Sequence, residues 1–235
     1  MSLLGIDVGT TGCKAGVFSI EGKLLSSSYE EYDFQRPKTG QAELDSSAVW
    51  KKIKKTIAGA VSGTGADPIS ALSVSSIGEA VVPVTSDRRI LGASILNFDL
   101  RGEEYLEALQ SDLKNETLYR INGNTPGNHY GITKLMWIRE HQPELYEKTF
   151  KFLHWSSFVN FMLGADPAVD YSLANRSLLF DLNLQDWSEE LLNLSGLDRI
   201  KLPEAVPSGT VIGTISKRTA RELGLPENTS ILTGS

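Results

Sequence analysis

The chain is short of cysteine: Cys13 is the single one in 235 residues. One thiol cannot close an intrachain disulfide, and such a composition suits a reducing compartment. Long apolar runs are missing too; none approaches the ~18 residues of a membrane-crossing helix. The N-terminus also lacks a charged-then-apolar secretion pattern, because Leu3 and Leu4 run directly into Gly5 and Asp7. A cytoplasmic setting with no membrane partner is therefore the expectation. Positive charge is not in excess. The formal net charge of -6 argues against nucleic acid as a partner, since non-specific binding needs a basic surface. It does not exclude an anionic ligand cradled by backbone N–H groups. What is present is an ordinary globular composition, 40% hydrophobic and 22% charged, at a length that buries a sizeable core.

Local patterns predict a mixed α/β fold. Leu3-Leu4-Gly5-Ile6 is a short apolar run ending at Asp7 and a Gly/Thr cluster, the pattern of a buried strand and a turn. Residues 15–20 and 24–32 predict two further strands, and three strands on two tight turns make an antiparallel meander. Asp45 is an N-cap candidate for a helix with Val49, Ile53, Ile57 and Val61 on one face, stopped by Ser62-Gly63-Thr64-Gly65. Strands are predicted over 69–77 and 80–85. Helices are predicted around Tyr105, Leu106, Leu109 and Leu113, and around Ile132, Leu135, Met136 and Ile138, the latter closed before Pro143. The apolar run 152–163 reads as one buried helix ended by Gly164. Ser188 and Ser216 are caps of two short helices that stop at Gly196 and Gly224, and Ser230-Ile231-Leu232-Thr233 reads as a strand.

The chemistry concentrates at Asp7-Val8-Gly9-Thr10-Thr11-Gly12-Cys13-Lys14. A carboxylate at the end of a buried strand suits Mg²⁺, which keeps several waters and takes few protein ligands. Gly9 and Gly12 permit a tight turn and close backbone approach, so that N–H groups reach phosphate oxygens. Thr10 and Thr11 add hydroxyl donors, and Lys14 adds a point charge. This is no Walker A loop, which opens a helix rather than a strand. The plain alternative is a hairpin turn with no ligand. Cys13 reads as a small core residue, and Trp137 as core.

The run from Gly5 to Ala15 resembles the first phosphate motif of the actin and hexokinase superfold, and more narrowly that of the FGGY carbohydrate kinases. The resemblance extends along the chain. It covers Gly40-Gln41-Ala42-Glu43-Leu44-Asp45 with Trp50, the 95–101 run ending in Asp99 and Arg101, and 134–141 around Trp137. It continues through Asp170-Tyr171-Ser172-Leu173-Ala174 with 178–181, and through 207–213. Such a resemblance implies a ribonuclease H-like (actin-like ATPase) fold: a mixed sheet opened by the meander, with helices on both faces. It also implies ATP and Mg²⁺ as cofactors and a sugar or polyol as substrate. Asp7 would meet the metal, and Gly9, Thr10, Thr11 and Lys14 the phosphates. Gly78, Glu79, Asp99 and His129 would line the substrate pocket. Glu79 stands where the glycerol-type members carry a glutamate, Asn97 replaces their tryptophan, and His129 lies where they carry a tyrosine. These departures favour a pentulose, hexulose or sugar acid over glycerol. Asp99 and Arg101 also admit a simpler reading, as an ion pair with each other.

The resemblance further implies that residues 1–235 are the N-terminal lobe, that a second lobe lies outside the chain, and that the catalytic base follows Ser235. The chain alone is then expected to be inactive, and a homodimer is the candidate assembly. Two other readings remain: another sugar or acid kinase of the superfold, and a non-catalytic actin- or chaperone-like ATP-binding module.

Overall fold

The computed structural model describes residues 1–64, 68–112 and 115–234. Gly65, Leu113 and Ser235, which the sequence reading places in a helix stop, a helix and a turn, lie outside them. Ser2–Val8 (β1) buries Leu4, Ile6 and Val8 and exposes Leu3, Gly5 and Asp7, the period-two pattern of a strand covered on one side. It pairs antiparallel with Gly12–Ser19 (β2), which pairs antiparallel with Leu24–Glu31 (β3), so the expected meander is present. The helix Ser46–Ser62 (α1) follows. Its cap is Asp45, whose carboxylate accepts from the N–H groups of Ser47 and Ala48 at 3.0 and 2.9 Å. Val49, Ile53 and Ile57 are buried along its inner stripe.

Ile69–Ser76 (β4) then lies parallel to β1, on the side away from β2. A parallel neighbour needs a crossover connection, and α1 supplies it. Val81–Val84 (β5) pairs outside this sheet with Lys151–His154 (β6), antiparallel. Between them comes the helix Gly131–His141 (α2), and after β6 the helix Trp155–Leu163 (α3). Val211–Thr214 (β7), the helix Lys217–Leu223 (α4) and Ser230–Leu232 (β8) finish the order. The six-stranded sheet runs β7-β8-β4-β1-β2-β3, with β8 parallel to β4.

The run 152–163 is therefore not one helix. Its first three residues belong to β6, where Leu153 opposes Val82 and His154 opposes Val81. A wholly buried apolar run has no period to separate strand from helix, and pairing with β5 decides it. The segment beyond Arg101 opens with a 3-10 turn, Glu103–Tyr105, before the helix Leu106–Asp112. A helix not foreseen, Pro143–Lys148, starts directly after α2, with its proline in the first turn.

One core cluster joins the inner face of the sheet to α1, α3 and α4, through residues such as Leu4, Ile6, Leu72, Ile53, Phe158 and Leu223. Cys13 lies in it, its thiol against the Thr56 hydroxyl at 3.2 Å. Of the helices expected on both faces, those packed on this sheet lie against one. The other face carries Leu3, Phe18 and Leu24, 43%, 36% and 50% exposed. A second cluster is built around α2 and holds Tyr130, Leu135, Phe180 and Trp187. Trp137 itself is only partly buried, stacked on His141 at 4.8 Å.

His154 is 2% exposed, and neither ring nitrogen has a hydrogen-bond partner. Burial pushes its pKa down to about 4. Because the folded value lies below the unfolded one, the unfolded chain binds the extra proton between about pH 6.5 and 4. Stability is full above that window and falls as pH drops through it. His154→Phe removes both unpartnered nitrogens. Chemical denaturation at pH 7 and pH 4.5 should show a stability loss on acidification smaller by about 2–3 kcal/mol in the variant than in the parent. Equal losses would mean that the ring is solvated.

Candidate functional site

Three parallel strands, β1, β4 and β8, end along one edge of the sheet. In open α/β sheets ligands bind outside the carboxyl ends of strands, where loops diverge and backbone groups are free. Here β1 delivers Asp7 and the Gly9-Thr10-Thr11-Gly12 turn, β4 runs on into Ile77-Gly78-Glu79, and β8 into Thr233-Gly234. The Ile77 N–H donates to the Val8 carbonyl at 2.9 Å and ties two of these exits together. Asp7 and Glu79 thus emerge from adjacent strands at the same edge of the sheet.

The turn is rigidly held. The Gly9 N–H donates to the Gly12 carbonyl at 2.9 Å, and the Tyr32 N–H to the Thr11 carbonyl at 3.0 Å. The Tyr32 hydroxyl, at the far end of the meander, donates to the Gly9 carbonyl at 2.7 Å. Burial drives the phenol pKa well above its usual value, so it remains a donor. Neither glycine is needed for a left-handed backbone. Space is the reason instead: a Cβ on Gly12 would come 2.5 Å from the Tyr29 hydroxyl, and one on Gly9 would come 3.2 Å from the Gly12 carbonyl oxygen. Tyr32 was not legible as a site residue, because nothing in its spacing links it to residues 23 positions earlier.

Asp7 faces Lys14 across β1 and β2, both on the exposed side of the sheet, and Asp7 has no ion pair among the described residues. No cluster of three or more His, Cys, Asp or Glu side chains converges on a metal site among those residues. That donor set fits Mg²⁺, which binds through one or two carboxylates together with phosphate oxygens and water.

Beyond the Ile77-Gly78-Glu79 exit, four segments pack into a second wall. Glu79 accepts from Nε of Arg176 at 2.8 Å and from Nη2 of the same guanidinium. Arg176 in turn lies over the Tyr130 ring, 4.7 Å from its centroid, and the His129 ring lies 4.0 Å from the same phenol. The Tyr130 hydroxyl donates to Asn124 Oδ1 at 3.1 Å, and Asn124 donates onward to Asn175 at 2.7 Å. Gly131 lets the start of α2 close on this wall: its N–H donates to the Arg176 carbonyl, and a Cβ there would come 3.2 Å from the Ser177 Cα. Gly78 packs the same way, its missing Cβ leaving 3.5 Å to Arg176 Cγ. The wall thus collects Gly78, Glu79 and His129, and adds Arg176 and Tyr130.

Asp99 does not join them. It is wholly buried, and its carboxylate is taken up by the Arg101 guanidinium at 2.6 to 3.1 Å, by the Arg101 N–H at 2.8 Å and by the Ala42 N–H at 2.5 Å. Burial works against its ionisation, but Arg101 and these N–H groups outweigh it and hold the carboxyl below the usual range. Asp99 is thus paired with Arg101 in the interior rather than at the surface. Its place is behind the wall. The Asp99 carbonyl accepts from Asn128 Nδ2 at 3.1 Å and from Lys134 Nζ at 2.7 Å, which fixes the loop carrying His129. Lys134 is buried so deeply that its pKa falls to about 8. Asn97, at the bend before Asp99, is exposed.

Residues 2–235 match the N-terminal domain of the FGGY family of carbohydrate kinases. The chain belongs to that family. YoaC of Bacillus subtilis, assigned as a sugar kinase, is 31% identical over 234 residues, which cover 98% of this chain and 47% of that protein. The xylulose kinase of Staphylococcus xylosus is 23% identical, over 99% of this chain and 48% of its own length. Among solved structures, gluconate kinase from Lactobacillus acidophilus superposes with a TM-score of 0.91 at 25% identity, covering 100% of this chain and 47% of that one. The chain thus spans about half the length of the relatives it matches. The FGGY assignment carries the actin-like fold with it, and the meander, the parallel β4 and β8 and the Asp7 turn are that fold's opening. No helix among the described residues is long and apolar enough to cross a membrane.

Proposed function

We propose that the protein carrying this chain transfers the terminal phosphoryl group of ATP to a hydroxyl of a sugar or polyol, with residues 1–235 as its N-terminal lobe. The observation that carries the reading is the shared edge of the sheet, which sets the Asp7 turn beside the Gly78–Glu79 exit. Phosphoryl transfer asks a protein chiefly for positioning and for neutralising charge on phosphate. Asp7 would hold Mg²⁺, which supplies that neutralisation when bound. The Thr10 N–H, the Thr10 and Thr11 hydroxyls and Lys14 would take phosphate oxygens, with Gly9 giving the turn room for their approach. Glu79 and His129 would accept and donate to substrate hydroxyls, with Gly78 giving the backbone room to approach. Single-cysteine composition supports a cytoplasmic setting.

The test is ADP release by the full-length protein with ATP, Mg²⁺ and a panel of sugars and polyols, run beside the polypeptide 1–235. Sugar-dependent turnover is expected from the full-length protein and none from 1–235. Turnover by 1–235 alone would overturn the lobe assignment. The rival reading, a non-catalytic ATP-binding module, predicts ADP release that no sugar stimulates.

A further inference from the structure

The relatives named above act on substrates of opposite character, xylulose being uncharged and gluconate an anion. The Glu79–Arg176 pair, at the strand exit beside the Asp7 turn, separates the two. Glu79 is 13% exposed and Arg176 35%, and the two side chains are paired. Both hydrogen bonds of that pair fall on one carboxylate oxygen, Oε1. Among the described residues Oε2 of Glu79 and Nη1 of Arg176 have no partner. The pair therefore presents one acceptor edge beside one donor edge and carries no net charge.

Arg176 is not free to leave Glu79 and meet an anion. Its guanidinium is stacked on Tyr130, its Cγ is packed against Gly78, and its own carbonyl is bonded to the first N–H of α2. The Asn124 and Asn175 amides lock Tyr130 behind it. A fixed acceptor beside a fixed donor complements adjacent hydroxyls, or a hydroxyl next to a carbonyl, each of which offers both a donor and an acceptor. A carboxylate offers acceptors alone, so it could meet Nη1 of Arg176 but would set its charge against the open Oε2 of Glu79, a like-charge contact that a partly buried site disfavours.

We infer that Arg176 is a specificity-determining residue, which neutralises and orients Glu79 so that the site takes an uncharged polyhydroxy substrate and rejects a sugar acid. This rests on the kinase reading above. Arg176 acts on the substrate both through its free edge and by positioning Glu79.

The experiment uses the full-length protein with ATP and Mg²⁺ and compares kcat/KM for xylulose, ribulose and glycerol with that for gluconate. The best neutral substrate should exceed gluconate by about 100-fold or more. Glu79→Gln leaves Arg176 as an unpaired cation, and the gluconate-to-neutral ratio should then rise by about tenfold or more. Arg176→Leu should raise KM for the neutral substrate about tenfold with a smaller change in kcat, and Arg176→Lys should restore part of that loss. Ratios taken within one preparation cancel any loss of folded protein. Preference for gluconate in the parent, or an unchanged ratio in Glu79→Gln, overturns the inference while the kinase reading stands. Absence of sugar-stimulated ADP release with every compound overturns both.

Discussion

Replacing Asp7 by asparagine in the full-length protein should lower kcat by about 100-fold or more, while the thermal midpoint stays within about 2 °C of the parent. The two halves of this expectation have one cause. Asp7 stands at the exposed end of β1, opposite Lys14, with no ion pair among the described residues. Nothing in the fold depends on its charge, so the substitution leaves packing untouched. A metal-bound phosphate held as proposed would depend on it heavily, because Mg²⁺ takes few protein ligands. A Mg²⁺ titration of the variant reads the same role, since excess metal should recover part of the lost rate. Full activity in Asp7→Asn, or a large fall in melting temperature, would remove Asp7 from the metal site.

Asp99→Ala should do the reverse: unfold the chain readily and say little about substrate. The carboxylate is fully buried against Arg101, whose Nη2 also donates to Glu43 at 3.0 Å and whose guanidinium lies 5.0 Å from the centre of the Trp137 ring. Removing one partner of a buried ion pair leaves the other uncompensated and costs about 3–5 kcal/mol. For a chain of this length that lowers the thermal midpoint by about 10 °C. A loosened 128–134 segment should follow, because Asn128 and Lys134 are bonded to the Asp99 carbonyl. A substrate ligand would behave differently, with KM rising at unchanged stability. Paired melting and kinetic measurements on Asp99→Ala and Asp99→Asn separate the two, and a stable variant with raised KM would return Asp99 to the pocket.

These two aspartates show how far local pattern reaches. Asp7 follows a short apolar strand and precedes two glycines and two threonines, all within six residues, so its exposure and its chemistry are written in adjacent positions. The meander, α1 with its Asp45 cap, and β4 were legible for the same reason: turn residues, capping residues and side-chain period are local properties. Asp99 sits in an equally suggestive segment, beside Arg101, but its role depends on Ala42 and Asn128, which only packing brings near. The run 152–163 failed for a related reason, since uniform burial erases periodicity and the pairing of β6 with β5 chose strand over helix for its first residues.

The sequence by itself determined the antiparallel opening with its Gly-Thr-Thr-Gly turn, the capped helix and membership of a sugar-kinase family, because each is encoded in neighbouring residues or in motifs along the chain. Tertiary structure alone decided which distant residues meet. Tyr32 reaches the Gly9 carbonyl from just beyond the third strand, and Arg176 reaches Glu79 across 97 positions. Side chains that far apart carry no common period or motif. Their meeting is fixed by how the parallel strands β1 and β4 end together and by how the start of α2 packs on the Arg176–Ser177 backbone.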